Sequence, residues 1–149
     1  RKLHKILVIN GPNLNLLGIR EPNLYGTQSL DEINAGLCEM AAENGVELEF
    51  FQSNSEGAMI DRIHSAYGEA SFIIINAGAL THSSIAVHDA LKAVNIPVIE
   101  VHMTNIYARE DFRRQSFISP AAIGGIFGLG PAVYKMALQA AINMLNNKR

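Results

Sequence analysis

The chain has 149 residues, of which 48% are apolar and 17% charged, and its formal net charge is −2. This length predicts one domain over residues 1–149, and the composition is typical of a well-packed globular protein. A small negative charge provides no broad basic surface, so neither nucleic acid nor a membrane is expected as a partner. The single cysteine, Cys38, excludes an internal disulfide and indicates a reducing compartment, so we expect a cytoplasmic protein with Cys38 as a small buried side chain.

The first predicted element is an apolar strand over residues 5–10, and the connection that follows it is unusually long. Connections in α/β domains usually have about two to six residues, whereas residues 11–26 form a longer stretch rich in Asn, Gly and Pro. Loops of this length are often functional lids. This stretch contains Arg20 and Tyr25. A nearby cation stabilises a phenolate, so Tyr25 beside Arg20 can act as a base. The alternative is that Tyr25 only packs.

The first helix is predicted over residues 29–44, with a capping box at its start and Asn44-Gly45 at its end. Apolar and acidic residues alternate over residues 46–52, which predicts a strand at a sheet edge. The remaining predicted elements are a helix at 57–67, a strand at 72–76, a helix at 84–94, a strand at 98–102, an irregular segment at 103–120, a strand at 122–127 and a last helix from 131 to about 147.

Five strands that alternate with helices predict a parallel sheet with helices on both faces. Right-handed crossovers leave few arrangements, and the flavodoxin-like order 2-1-3-4-5 places the second strand at an edge. We therefore predict an α/β fold with a doubly wound, five-stranded parallel sheet in three α/β/α layers. A ligand would bind beyond the carboxyl ends of strands one and three, where the strand order reverses.

The predicted carboxyl edge carries amide, imidazole, hydroxyl and guanidinium groups, from Asn10, Asn13, Arg20, Tyr25, Asn76, His82, His102, Thr104, Asn105, Arg109 and Arg113. Asn10 and Asn76 stand where a magnesium-binding receiver domain needs carboxylates. No phosphate loop follows the first strand, and no lysine lies in an edge loop, which argues against a nucleotide cradle and a Schiff base. Three arginines favour a small, anionic, oxygen-rich substrate.

The histidines differ in what surrounds them. His102 ends a strand two residues after Glu100, on the same face, so the carboxylate can hold the ring and favour its protonated form, as an acid requires. The alternative is a backbone hydrogen bond that caps the strand. His82 is either a loop residue or a ligand-binding one. Three other histidines are predicted to be solvated: His4, His64 and His88. The five histidines together lack the spacing of metal ligands, so no metal is expected.

Two further motifs allow other functions. A hydrolase triad of His82, Ser83 and Asp89 lacks the Gly-x-Ser-x-Gly turn that would expose the serine. Gly128-Leu129-Gly130, before the last helix, is either a tight turn or an anion cradle. The second possibility leaves open an alternative function, a flavodoxin-like binding module for FMN or another phosphate-bearing ligand.

Distinctive motifs extend almost from end to end: NGPNLNLLG at 10–18, REP at 20–22, YG at 25–26, FQSN at 51–54, EG at 56–57, ID at 60–61, NAGA at 76–79, TH at 81–82, DA at 89–90, IEVH at 99–102, ARE at 108–110, FR at 112–113 and GLG at 128–130. With these motifs the chain resembles the type II 3-dehydroquinate dehydratases (type II dehydroquinases). The resemblance implies a flavodoxin-like fold, no cofactor, and a dodecamer built from four trimers. It implies a lyase of the shikimate pathway that removes water from 3-dehydroquinate by anti elimination, through an enolate, to give 3-dehydroshikimate.

The resemblance also implies catalytic roles. Tyr25 takes the proton alpha to the ketone and is activated by Arg20. Asn13 holds a water that stabilises the enolate. His102, held by Glu100, protonates the leaving hydroxyl.

The remaining implied roles concern binding. The substrate's carboxylate and hydroxyls are bound by Asn76, His82, Arg113 and the stretch Met103-Thr104, while Asp89 reaches a neighbouring subunit's site and orders Arg20. Residues 20–25 form a lid. Ala77 stands where proline is common in the family and Ser55 where histidine is common, which leaves the catalytic positions unchanged. A catalytically dead member kept for assembly is a third possibility, disfavoured because the whole implied site is present.

Overall fold

A five-stranded parallel sheet forms the middle layer of the protein. The computed structural model describes residues 3–147. The strand order is β2-β1-β3-β4-β5 and every pairing is parallel, which confirms the predicted doubly wound fold. The strands are β1 (Lys5–Asn10), β2 (Glu47–Gln52), β3 (Phe72–Asn76), β4 (Val98–His102) and β5 (Gly124–Phe127).

Helices cover both faces of the sheet: α1 (Pro22–Tyr25), α2 (Leu30–Asn44), α3 (Glu56–Ser65), α4 (Ile85–Val94) and α5 (Ala132–Asn146). Successive side chains of a strand point to opposite faces, so β1 contributes to two cores. Ile6 and Val8 pack in the cluster with α2 and α5, whereas Leu7 and Ile9 pack in the cluster with α3 and α4. Burial of each such side chain contributes about 1.5–3 kcal/mol, which explains why β1 is an unbroken apolar run.

The long connection after β1 is more ordered than the predicted loop. It contains a 3-10 turn at Leu14–Leu16 and the short helix α1. Pro22 begins α1, where its fixed φ suits a first helical position, and the preceding Glu21 adopts a left-handed conformation with φ 42°. The connection is therefore a folded segment that carries Arg20 and Tyr25 at defined places.

A glycine at the end of β1 allows the backbone there to pass close to the backbone that follows β3. The Gly11 N–H donates to the Asn76 carbonyl over 2.8 Å, which extends the contact between β1 and β3 by one residue. A Cβ at Gly11 would lie 2.4 Å from the carbonyl oxygen of Ala77, so no other residue fits without movement. This close approach brings the chain after β1 next to the chain after β3.

Several predicted element boundaries shift by one or two residues, and α3, for example, covers Glu56–Ser65 rather than 57–67. β2 begins at Glu47, α5 begins at Ala132 with Pro131 just before it, and β5 begins at Gly124. The predicted start of β5, Ala122, instead caps the C-terminal end of a 3-10 turn at Ser119–Ala121. The N–H of Ala122 donates to Ser119 within this turn, so the backbone there is already bonded locally.

Two predictions about single residues are wrong. Cys38 is exposed, because α2 turns its Ile33–Leu37–Ala41 stripe to the core. His88 is half-buried rather than solvated, since Nδ1 lies 2.7 Å from the Phe117 carbonyl of a segment that packs on α4. Within the part of the chain described, residues 3–147, no helix combines the length and apolar character needed to cross a bilayer.

Candidate active site

A cleft of about 190 Å³ opens at the carboxyl end of β1, β3 and β4. It lies where the reversal of strand order predicts a ligand site. Nine of the residues that the sequence predicts for the site line it: Asn13, Arg20, Tyr25, Asn76, His82, His102, Met103, Thr104 and Arg113.

Two arginines contact Tyr25. The phenol oxygen accepts a hydrogen bond from Nη1 of Arg109 over 3.0 Å. The guanidinium carbons of Arg20 and Arg109 lie 5.1 and 5.6 Å from the ring centroid. Two guanidinium groups therefore flank one phenol, and one of them is hydrogen-bonded to its oxygen.

Arg109, rather than Arg20, supplies the hydrogen bond to the phenol. The sequence places Arg109 on the rim but gives it no link to Tyr25, which is 84 positions away. Nη1 of Arg109 also lies 3.3 Å from the Thr104 hydroxyl, which holds the guanidinium over the cleft. The ARE motif at residues 108–110 is the one sequence signal that marks this residue.

The predicted pair of Glu100 and His102 is present at the end of β4. Nε2 of His102 lies 2.6 Å from Oε2 of Glu100, and the two residues are 7% and 4% exposed. Burial by itself raises the pKa of Glu100, but hydrogen bonds from His102, Ser116 and Ser119 outweigh it and hold that pKa below its ordinary value. The ionised carboxylate thus accepts from Nε2–H and leaves Nδ1 of His102 for a ligand.

His82 lies beside His102, with the two ring centroids 6.4 Å apart. Nδ1 of His82 donates to the Gln115 carbonyl over 2.8 Å. Burial lowers the pKa of His82, and the nearby His102 and Arg113 lower it further against the effect of that hydrogen bond. A neutral His82 with Nδ1–H occupied offers Nε2 as an acceptor, which suits a hydroxyl of a ligand.

Asn76 is held by a buried tyrosine, Tyr134, that no sequence motif marks. Its Nδ2 donates to the hydroxyl of Tyr134 over 3.0 Å, and that hydroxyl donates to Oδ1 of Asn10 over 2.5 Å. The Gly78 N–H donates to Oδ1 of Asn76 over 3.2 Å. Burial raises the pKa of Tyr134, so it stays neutral and bridges the ends of β1 and β3. Periodicity alone assigns Tyr134 to the core of α5.

Asn13 sits in a left-handed conformation, with φ 71°, at the start of the connection after β1. Its backbone N–H donates to Oδ1 of Asn54 over 2.9 Å, which ties this connection to the one after β2. Its carboxamide has no hydrogen-bond partner among residues 3–147 and lines the cleft. It is thus available to a water or a ligand.

Two predicted site residues do not line the cleft. Glu100 lies behind His102, as its predicted role requires. Asp89 is exposed on α4, outside the cleft of its own chain.

The two glycine amides of the turn before α5 are bonded to backbone and are not presented to an anion. The N–H groups of Gly128 and Gly130 donate to the carbonyls of His102 and Met103 over 3.1 and 2.9 Å. The turn therefore fixes the chain just after β4. In the stretch from residue 3 to residue 147, no three His, Cys, Asp or Glu side chains group as metal ligands.

Comparison with known proteins relates the whole chain to one family. The family model described as dehydroquinase class II matches residues 4–142. The 3-dehydroquinate dehydratase of Caldicellulosiruptor bescii is 57% identical over 145 residues, which are 97% of this chain and 100% of the relative. The corresponding enzyme of Methylococcus capsulatus is 56% identical over 93% of this chain and 95% of its own. The crystal structure of type II dehydroquinase from Butyrivibrio crossotus superposes with a TM-score of 0.91 at 46% identity, over 95% of this chain and 98% of that one.

Proposed function

The chain belongs to the dehydroquinase class II family and is a 3-dehydroquinate dehydratase, a lyase, and we propose that its cleft performs the elimination with Tyr25 as base and His102 as acid. The observation that carries this assignment is the arrangement of the cleft. A phenol held by two guanidiniums and an imidazole held by a buried carboxylate line the same cavity. The pairing supplies one base and one acid, as an elimination of water needs.

In the first step, the Tyr25 phenolate takes the proton alpha to the ketone of 3-dehydroquinate. The electron pair of the broken C–H bond moves to the carbonyl oxygen and forms an enolate. Arg109 and Arg20 stabilise the phenolate before the transfer. A water held by the Asn13 carboxamide donates to the enolate oxygen, because an oxyanion needs a donor placed in advance.

In the second step, the enolate collapses and the C–O bond to the leaving hydroxyl breaks. His102 gives its Nδ1 proton to that oxygen, so the group leaves as water and the ring carbons become the conjugated enone of 3-dehydroshikimate. Glu100 keeps its charge and holds Nε2–H. Tyr25 then loses its proton to solvent and His102 regains one, which balances the cycle.

Substrate orientation is assigned to the polar rim of the cleft. Arg113 and the backbone at Met103 and Thr104 would bind the carboxylate, while Asn76 and His82 would bind hydroxyls. Nε of Arg113 lies 3.0 Å from a carboxylate oxygen of Glu110, which supports a fixed guanidinium. Closure of residues 20–25 over the substrate would exclude water and strengthen these contacts. No step requires a metal or a cofactor.

The cellular and quaternary setting is part of the same proposal. We assign residues 1–149 to one domain, the protein to the cytoplasm, and the assembly to a dodecamer of four trimers without nucleic acid or membrane partners. Ile85 is 58% exposed one helical turn from Asp89, which supports an α4 surface covered by another subunit. Asp89 would reach a neighbour's site from there and order its Arg20.

Purified protein given 3-dehydroquinate should develop the ultraviolet absorbance of the conjugated enone without added metal or cofactor. EDTA should leave the rate unchanged, and so should borohydride added with substrate, because neither a metal nor a Schiff base takes part. Absence of the enone, or loss of activity with either reagent, would contradict the assignment. The alternative, a flavin or phosphate-binding module, is not favoured because the amides of Gly128 and Gly130 are already bonded. A yellow preparation with flavin absorbance would revive it.

A further inference from the structure

Two serines between β4 and β5 contact the carboxylate of Glu100. The hydroxyl of Ser116 donates to Oε2 over 2.6 Å, and that of Ser119 donates to Oε1 over 2.5 Å. His102 shares Oε2 with Ser116. Both oxygens of a carboxylate that is 4% exposed therefore have hydroxyl donors in addition to the imidazole.

The Ser116 hydroxyl has only one direction left for its proton. Its oxygen accepts the backbone N–H groups of Ile118 and Ser119, over 3.1 and 3.0 Å. A serine oxygen has two lone pairs and one proton, so these two bonds use its acceptor capacity. The proton is then directed to Glu100, and the turn itself orients the donor.

The segment that carries the serines is anchored to the other side of the cleft. The Phe117 N–H donates to the Thr81 carbonyl over 2.8 Å, and the Phe117 carbonyl lies 2.7 Å from Nδ1 of His88. On β5, a Cβ at Gly125 would lie 3.7 Å from Oε1 of Glu100 and 3.3 Å from its backbone oxygen. Glycine at this position leaves room for the carboxylate against β5.

We propose that Ser116 and Ser119 are positioning residues for the elimination: they hold Glu100 in the orientation that accepts Nε2–H of His102 and leaves Nδ1 to protonate the departing hydroxyl. This inference rests on the proposed role of His102 as the acid. The group that positions the acid then includes four side chains rather than two, and they are joined by hydrogen bonds of 2.5–2.6 Å.

The charges around this set are consistent with an ionised Glu100. The other titratable groups that line the cleft are His82, three arginines and Tyr25, whose hydroxyl accepts a hydrogen bond from Arg109. The strand neighbours of Glu100 are Ile75 on β3 and Gly125 on β5, both uncharged. Hydrogen bonds from His102 and the serines therefore have to offset burial, which alone raises the pKa of Glu100.

Removal of one serine hydroxyl should weaken the hold on Glu100 and on the ring it orients. We expect Ser116→Ala and Ser119→Ala each to lower kcat about tenfold with KM within about twofold, by analogy with the outer partners of metal-binding histidines, whose loss costs about 10- to 100-fold. Ser119→Thr keeps a hydroxyl and should recover most of the rate.

Ser84→Ala is the matched control. The Ser84 hydroxyl also donates to a glutamate, Glu56, over 2.5 Å and accepts a backbone N–H from Val87 over 2.9 Å, but it does not line the cleft. Its loss should cost similar stability and leave kcat and its pH profile unchanged. This control separates a general packing effect from one that acts through Glu100.

Nitrogen NMR of the full chain with isotope-labelled histidine gives a readout that does not depend on turnover. The Nε2–H signal of His102, assigned with a His102→Asn variant, reports the hydrogen bond to the ionised Glu100 carboxylate. Because the serines help to keep Glu100 ionised, this signal should persist to lower pH in the natural chain than in Ser116→Ala or Ser119→Ala. Spectra and kcat that match those of Ser84→Ala would overturn the positioning role. If the natural chain fails to convert 3-dehydroquinate, the proposed function falls, while the NMR comparison still decides how the serines act on His102.

Discussion

Tyr25 is the residue on which the assigned chemistry depends most. Its phenol oxygen accepts from Arg109 over 3.0 Å, so its ring is held whether or not the oxygen is charged. Tyr25→Phe removes the proposed base but keeps the ring beside the guanidiniums. We expect kcat to fall by about 10²–10⁴, with binding of 3-dehydroquinate retained in calorimetry. Near-normal turnover would remove Tyr25 from the role of base.

Arg109 and Arg20 should differ in importance, because only Arg109 donates to the phenol oxygen. A hydrogen bond from a charged group contributes about 1.5–3 kcal/mol, which corresponds to about 10- to 100-fold in rate if it is lost in the reacting state. We expect Arg109→Gln to lower kcat by that factor in the enone assay and Arg20→Gln to lower it less. An equal or larger effect of Arg20→Gln would show that the lid arginine moves onto the oxygen when substrate binds.

The residue contacts differ in how far the sequence could predict them. Glu100 and His102 are two positions apart on a strand, and this spacing alone places them on one face. The contact of Arg109 with Tyr25 depends on how two distant loops meet, so no periodicity reveals it. The same holds for Ser116, whose irregular segment carries no pattern.

At the scale of elements, the close approach of β1 and β3 depends on Gly11. Gly11→Ala places a Cβ 2.4 Å from the Ala77 carbonyl, so the chains after both strands must separate. We expect a loss of about 1–3 kcal/mol in the free energy of unfolding, measured by urea titration. The control is Gly57→Ala in α3, where a Cβ meets only the Ser55 hydroxyl at 3.9 Å. It should be neutral or stabilising by about 0.5–1 kcal/mol. Equal losses would contradict the steric argument.

The position of α5 depends in part on Tyr134, which bridges Asn10 and Asn76. Tyr134→Phe leaves both buried partners without their hydrogen bond, so we expect a loss of about 1–3 kcal/mol at neutral pH. Burial raises the pKa of Tyr134 above its ordinary value of about 10, which adds a second, pH-dependent effect.

Above pH of about 10 the unfolded chain loses the Tyr134 proton while the folded chain keeps it. The unfolded state then binds fewer protons, so stability falls as pH rises, by about 1.4 kcal/mol per pH unit from this group. The natural chain and Tyr134→Phe should therefore converge in urea titrations at high pH. Tyr67→Phe, at a side chain 73% exposed, should keep a constant difference from the natural chain. A constant difference for Tyr134→Phe as well would contradict its buried, neutral state.

Elements with strong apolar patterns are the ones that the sequence predicts best. The bounds predicted for β1, β3 and β4 match the structure, because β1 and β3 have apolar runs bounded by polar residues and Pro97 marks the start of β4. β5 opens with two glycines and has mostly exposed residues, so its start carries no such pattern. α1 has four residues, which is too short for a helical period, and Pro22 is its only signal.

At the scale of the whole molecule, the strand order brings nine of the predicted residues to one cleft and leaves Asp89 outside it. Alternation of elements predicts that order because right-handed crossovers allow few others. The alternation of elements carries no information about which surface meets another subunit. The role proposed for Asp89 would therefore require a neighbouring subunit.

Mixed assemblies can test whether Asp89 serves a neighbour. Asp89→Ala and Tyr25→Phe should each be nearly inactive alone in the enone assay, the first because every site lacks the neighbour's carboxylate and the second because every site lacks its base. In the proposed trimer, an Asp89→Ala subunit would keep its own Tyr25 and would receive Asp89 from a Tyr25→Phe neighbour. Refolding the two variants together should thus restore part of the activity, with native mass spectrometry reporting the mixed oligomers. Mixed oligomers without recovered activity would show that Asp89 does not act across the subunit boundary.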